Sequence, residues 1–128
     1  MNQITENILT RRSIRSFIED QISEEDLNTI LTAGSYAPSG MGMQSWKFTA
    51  IQNANVLKKV NEAIRLTLKS MTVVAETHPY FVSLIEKAKD ESANFLYHAP
   101  TLIIVSNLKD NGNSMADSAL AIGNMMLA

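Results

Sequence analysis

Three arginines lie within five residues near the start of this chain, at Arg11, Arg12 and Arg15. Their guanidinium groups stay charged and present planar forks of N–H donors that match the oxygens of a phosphate. Ser13 adds a hydroxyl between them, and apolar neighbours could anchor the segment to a core. This arrangement favours a receptor for one compact anion.

The same arginines could instead form the solvated end of a first helix. Apolar residues predict such a helix over residues 2–10, with Ile4, Ile8 and Leu9 on one side. Cations are favourable near a helix C-terminus, because the carbonyl groups there carry partial negative charge. The residues alone leave both interpretations open.

Composition is that of an ordinary globular protein and argues against several kinds of site. The chain has 128 residues, about one domain, and 45% of them are apolar. Eleven basic and 13 acidic side chains give a net charge of −2, which provides no general attraction to nucleic acid or to a membrane surface. With no cysteine and only two histidines, we predict no thiol chemistry, disulfide or metal centre. There is no apolar run of about 18 residues and no secretory pattern, so we expect a cytoplasmic location.

Periodicity predicts several helices and few strands, an α+β pattern. The predicted elements after the first helix are a helix over 23–34, a loop over 35–44, a strand over 46–52, helices over 55–71 and 81–93, a buried strand over 101–106 and a last helix from 113 or 114 onward. Ser23 is a suitable N-cap for the 23–34 helix, and Gly34 is predicted to end it.

The last predicted helix is apolar nearly all the way round and has no stop signal before Ala128. Two strands are too few for an independent sheet. We therefore expect this chain to be a fragment, or to complete its core with another copy.

Two segments together resemble the FMN-dependent nitroreductase family. The first is RRSIRSF at 11–17, and the second is APSGMGMQSWKF at 37–48, which is similar to that family's loop of form A-P-S-x-x-N-x-Q-P-W-x-F. Weaker matches follow at 98–100 and along the helix 117–128. The resemblance covers the chain in order. It implies a single α+β domain over 1–128, with a central, mostly antiparallel sheet flanked by helices and incomplete here.

The resemblance implies that FMN is the cofactor. The residues that it assigns to FMN are Arg11, Arg12, Ser13, Arg15, Pro38, Ser39 and Gly40. The first three would lie at the phosphate and ribityl end, and Arg15 near the pyrimidine edge, where a cation stabilises the negative charge of a reduced ring. The last three would reach the flavin from the other subunit of a homodimer, with FMN at the interface.

The implied activity is that of an oxidoreductase working in two steps. NAD(P)H reduces the flavin, and a small-molecule acceptor such as a nitroaromatic or a quinone then reoxidises it. The resemblance implies no catalytic acid–base residue and no metal ligand. Neither nucleic acid nor a membrane is expected as a partner.

Three departures from the family pattern leave other hypotheses open. Gly42 stands where asparagine is usual, which removes an expected hydrogen bond near the flavin, and Ser45 stands where proline is usual, which we expect to loosen the start of the strand. The family is also expected to continue past the helix with which this chain stops. A second hypothesis is therefore a flavin-binding or flavin-sequestering protein without turnover. A third is a non-enzymatic helical domain that assembles through its methionine-rich last helix.

Overall fold

The computed structural model describes residues 2–108 and 111–128. In chain order its elements are α1 (Gln3–Thr10), α2 (Glu24–Ser35), a 3-10 turn (Gly40–Gly42), β1 (Trp46–Ile51), α3 (Ala54–Ser70), α4 (Pro79–Lys87), β2 (Leu102–Asn107) and α5 (Ser114–Met125). Helices with a small antiparallel sheet confirm the predicted α+β class.

The described residues divide into two compact units, each with its own pair of packed helices. The first unit takes those of Met1–Ile14, Gln21–Ala50 and Ile103–Ala128, and the second takes those of Arg15–Asp20 and Ile51–Leu102. In the first unit α2 packs on α5, and in the second α3 packs on α4. That the chain forms a single domain over 1–128 stays a prediction.

Helix α2 begins as predicted but does not end at its glycine. Ser23 Oγ accepts a backbone N–H of the first turn at 3.0 Å, as an N-cap does. Gly34 is buried inside the last turn, where an added Cβ would overlap Cε of Met125. Nearby, Asn124 Nδ2 of α5 donates to the Ala33 carbonyl at 3.0 Å. The prediction that Gly34 ends the helix is wrong, because this glycine allows two helices to approach closely instead.

The sheet has two antiparallel strands, β1 and β2. The Ser106 hydroxyl donates to the Lys47 carbonyl at 3.3 Å, and Gln52 Nε2 donates to Thr101 Oγ1 at 3.2 Å. Residue numbers rise along one strand as they fall along its neighbour, so the strands run in opposite directions. Every residue of both strands is half-buried or exposed. The strand predicted over 101–106 is confirmed at Leu102–Asn107, but the prediction that it is buried is wrong. Within the described chain, β2 has one neighbouring strand, and its apolar run is not covered on both faces.

Helix α4 lies earlier than the predicted 81–93. It begins at Pro79, because proline fits the first helical position, where a backbone N–H has no partner in the helix. His78 is its N-cap, and its Nδ1 accepts the Tyr80 N–H at 3.2 Å. The residue before the proline is therefore the N-cap of this helix.

Polar side chains of α3 organise the second unit. Asn61 donates to the Ala93 carbonyl at 3.0 Å and accepts the Phe95 N–H at 2.7 Å, which holds the segment after α4 against α3. Arg65 is only 7% exposed and makes two hydrogen bonds to Glu62, of 2.8 and 2.7 Å. These bonds to Arg65 lower the pKa of the Glu62 carboxyl below its usual value. This buried cation is thus paired.

Candidate functional site

The 37–44 loop is shaped by its own hydrogen bonds. Within its 3-10 turn, the Gly42 N–H donates to the Ser39 carbonyl at 3.0 Å. Ser39 Oγ accepts the Gln44 N–H at 3.0 Å, and Gln44 Nε2 donates to the Ser35 carbonyl at 3.2 Å. These contacts fold the loop back on itself and tie it to the end of α2.

Three residues of this loop have the left-handed backbone that glycine and asparagine tolerate best. They are Met41 at φ 55°, Gly42 at φ 67° and Gln44 at φ 46°. At position 42, asparagine could adopt the same backbone as the glycine. The departure from the family pattern therefore preserves the course of the loop and removes only the hydrogen-bonding groups of the side chain.

A buried carboxylate of α5 supports the loop. Asp117 is 3% exposed, and its Oδ1 accepts the Gly40 N–H at 2.9 Å. Its Oδ2 is buried without a hydrogen-bond partner among the described residues. Gly40 also packs on Asn113 so closely that an added Cβ would overlap that side chain. Asp117 is not among the residues predicted as functional, although an acidic residue in the first turn of an apolar helix is a signal that the sequence carries.

Ser45 is firmly held, contrary to expectation. Its hydroxyl donates to Asn107 Oδ1 at 2.5 Å and accepts from Asn111 Nδ2 at 2.5 Å. Asn107 in turn donates to Ser118 Oγ of α5 at 3.3 Å. The expectation that serine loosens the start of β1 is wrong, because the hydroxyl links that start to the end of β2 and to α5.

The Arg12 side chain bonds to the end of α1, as the helix-end interpretation predicts, and uses only two of its five N–H donors there. Its Nη1 donates to the carbonyl oxygens of Leu9 and Arg11, at 3.0 and 2.8 Å. These bonds satisfy carbonyl groups at the end of α1. The other three N–H groups, on Nε and Nη2, form no hydrogen bond within the described residues.

The other predicted ligands of the arginine segment are exposed. The side chains of Arg11, Ser13 and Arg15 form no hydrogen bond or ion pair within the described part of the chain. Arg15 belongs to the second unit, whereas Arg11 and Arg12 lie together in the first. There they line a cleft of about 410 Å³, whose lining residues are Asn7, Thr10, Arg11, Arg12, Ile14, Met126 and Leu127. The end of α5 therefore lies beside two of the predicted phosphate ligands.

In the ranges 2–108 and 111–128, no cluster of three or more metal-ligating side chains occurs. None of the helices there has the length and apolar character needed to cross a bilayer.

The chain matches a known protein family over most of its length. A model described as the Nitroreductase family matches residues 8–128. The chain belongs to the nitroreductase family. A crystal structure of a nitroreductase with bound FMN from Bacteroides fragilis matches this nitroreductase-family chain with a TM-score of 0.86 and 40% identity. The match covers 99% of this chain and 64% of the other.

Curated relatives of this nitroreductase-family chain carry related names. A protein of Archaeoglobus fulgidus, provisionally named NADH dehydrogenase/NAD(P)H nitroreductase, is 43% identical over 63 residues, 49% of this chain and 36% of the relative. A protein of Methanothermobacter thermautotrophicus with the same provisional name is 31% identical over 129 residues, 98% of this chain and 54% of the relative. The chain thus spans about half of the second relative's length and about a third of the first's.

Proposed function

We propose that this nitroreductase-family protein is an FMN-dependent oxidoreductase that passes electrons from NAD(P)H to small acceptors such as nitroaromatics or quinones. The observation that carries the proposal is the pair Arg11 and Arg12, which line one cleft in a family with an FMN-bound member. The names of the two archaeal relatives support NAD(P)H as the donor. A cytoplasmic location is part of the proposal, because a cytoplasmic enzyme has direct access to that donor.

The arginine segment fits a phosphate group. Arg11 offers five N–H donors and Arg12 three, and charge-assisted bonds from such forks are among the strongest that a phosphate can receive. Because Arg12 Nη1 is already bonded to the end of α1, its fork loses less rotational freedom when an anion binds. We assign the phosphate and ribityl end to Arg11, Arg12 and Ser13.

The 37–44 loop fits the approach of a flat ring. Pro38 is exposed and Gly40 is half-buried, so both can present surface to a ring. The Ser39 hydroxyl oxygen accepts the Gln44 N–H, so its own O–H remains available to donate. We assign these three residues to the flavin of a partner subunit in a homodimer.

Exposed apolar helix faces support a second copy as that partner. Helix α1 buries none of its residues, and Ile4 and Leu9 are 69% and 59% exposed. On α5, Met115 and Leu120 are also largely exposed. Large apolar side chains exposed on helices favour an interface when they form a patch.

When bound, FMN supplies the reversible two-electron chemistry that connects a nicotinamide to the acceptor. The residues of the chain bind and orient it. Arg15 is proposed to lie at the pyrimidine edge, where its fixed charge would stabilise the reduced ring. Its exposed side chain has no competing ion pair within the described residues.

An FMN titration followed by reduction tests the proposal. Added FMN should lose fluorescence on binding, and the flavin absorbance should bleach with NAD(P)H in the absence of oxygen and return with a nitroaromatic acceptor. Protein that takes up no FMN would overturn the proposal. Binding without reduction would favour the flavin-sequestering alternative, for which the missing side chain at Gly42 is the motivation.

A further inference from the structure

We propose that Asp117 is the positioning residue of the 37–44 loop, and that it acts through the Gly40 N–H rather than by touching FMN. This inference rests on the proposed function, because that function is what gives the loop a ring to receive. It concerns a buried carboxylate that the proposed chemistry does not otherwise use.

Asp117 and the turn together fix one peptide group from both sides. Oδ1 of Asp117 accepts the Gly40 N–H at 2.9 Å, while the Ser39 carbonyl accepts the Gly42 N–H at 3.0 Å. A peptide group is planar and rigid, so holding its N–H and its C=O sets the orientation of the whole plane. That plane lies between Ser39 and Gly40, the centre of the proposed flavin contact.

Gly40 packs on the first turn of α5. Asn113 and Asp117 are four residues apart and so lie on the same face of the helix. The Asp117 N–H donates to the Asn113 carbonyl at 2.9 Å. The Asn113 side chain packs against Gly40, and the Asp117 side chain accepts the Gly40 N–H. A side chain at position 40 would overlap Asn113 and push the loop away from α5.

The burial of Asp117 favours a specific role for its one side-chain hydrogen bond among the described residues. A carboxylate that is 3% exposed, with Oδ2 unpartnered among the described residues, is unfavourable unless a specific bond uses it. The Gly40 N–H is the bond that its side chain makes in the described chain. A hydrogen bond to a charged acceptor is stronger than one to a neutral acceptor, which suits a residue that must hold a loop.

Two variants of similar shape test the proposal in the purified protein. Asp117→Leu keeps the branched side chain but removes the acceptor, while Asp117→Asn keeps an oxygen that can accept the Gly40 N–H. Fluorescence titration should show FMN binding weakened about tenfold to a hundredfold in Asp117→Leu and less than about threefold in Asp117→Asn. Urea unfolding should show Asp117→Leu less stable than the parent by about 1–3 kcal/mol, because the Gly40 N–H loses its acceptor.

A matched variant on the same helix separates positioning from packing. Asn124→Ala removes the bond to the Ala33 carbonyl between α5 and α2. It should lower the urea midpoint without changing the FMN dissociation constant. Equal weakening of FMN binding in Asn124→Ala and Asp117→Leu would overturn the proposal, because the effect would then belong to helix packing.

Hydrogen exchange at the Gly40 amide gives a readout that needs no cofactor. Exchange should be slow in the parent and in Asp117→Asn and faster in Asp117→Leu. FMN binding by Asp117→Leu as tight as the parent's overturns the inference and leaves the proposed function standing. A parent protein that binds no FMN overturns both, so the two failures are distinguishable.

Discussion

The 37–44 loop and the arginine segment, the two parts of the proposed site, differ in how many hydrogen bonds within the chain fix their conformation. The 37–44 loop is bonded to α2 through Gln44 and to α5 through Gly40. The arginine segment, residues 11–13, follows a helix that buries none of its residues, and only Arg12 has side-chain bonds there. The loop is therefore preorganised, whereas most of the arginine donors would be ordered by the anion. Ordering a long side chain costs about 0.5–1.5 kcal/mol of binding free energy.

Within one chain, α5 and the residues just after it contact both the loop and the arginine segment. Asp117 in its first turn holds the loop, and Met126, just after its last residue, lines the arginine cleft. Close packing of α5 on α2 is therefore expected to matter for the loop, which both helices hold. Changes in the arginine segment should act mainly on FMN binding.

The largest effect is expected from removing the two charges of the arginine segment. Arg11→Gln with Arg12→Gln should weaken FMN binding by about a hundredfold or more, since each charged hydrogen-bonding group contributes about 1.5–3 kcal/mol. The urea midpoint should fall only slightly, because both side chains are exposed and only the two Arg12 bonds to the end of α1 are lost. Fluorescence titration and urea unfolding measure the two quantities.

Lys58→Gln with Lys59→Gln is the matched control for that double variant. It changes the net charge equally on an exposed part of α3. FMN affinity should be unaffected. Equal loss in both double variants would mean that overall charge, rather than a phosphate site at residues 11–12, controls binding.

The next effect concerns the support of the loop. Gly34→Val should lower the free energy of unfolding by about 2 kcal/mol, because its side chain would overlap Met125 where α2 meets α5. Gly123→Val is the control, since nothing lies within 4 Å of an added Cβ there. Urea unfolding of both variants checks this, and equal midpoints would contradict the close approach at Gly34.

Loss of the Ser45 hydroxyl should have a smaller effect on stability. Ser45→Ala removes the bond to Asn107 Oδ1 and the bond from Asn111 Nδ2, and should lower the free energy of unfolding by about 1–2 kcal/mol. Ser45→Pro, which restores the residue usual in the family, should not recover this loss. Ser83→Ala on an exposed turn of α4 is the control and should leave the thermal midpoint almost unchanged.

The smallest effect is expected at Gly42. Gly42→Asn should change the free energy of unfolding by less than about 0.5 kcal/mol, because asparagine tolerates a φ of 67°. Gly42→Val should lower it by about 1–2 kcal/mol, since a branched residue does not tolerate that backbone. We also expect Gly42→Asn to bind FMN a few times more tightly, by one neutral hydrogen bond. Unchanged affinity would remove the motivation for the sequestering alternative.

Features that depend on neighbours a few residues away were predictable from the sequence. The N-cap at Ser23 needed only the N–H groups of the following turn, and the Arg12 contacts at the end of α1 lie within three residues. Even so, α4 was placed too late, because Pro79 permits a helix start as readily as it forbids a helix interior. The α+β class followed from the same local periodicities, and the family resemblance from two short segments.

By itself, then, the sequence determined the family, the approximate elements and the candidate FMN ligands. Only the tertiary structure decided what Gly34, Ser45 and Asp117 do. Each acts through a contact with a distant part of the chain, and Asp117 and Gly40 are 77 residues apart. The reason is physical: caps and helical periods are set by bonds along the chain, whereas close approach and a buried hydrogen bond exist only after two elements have packed together.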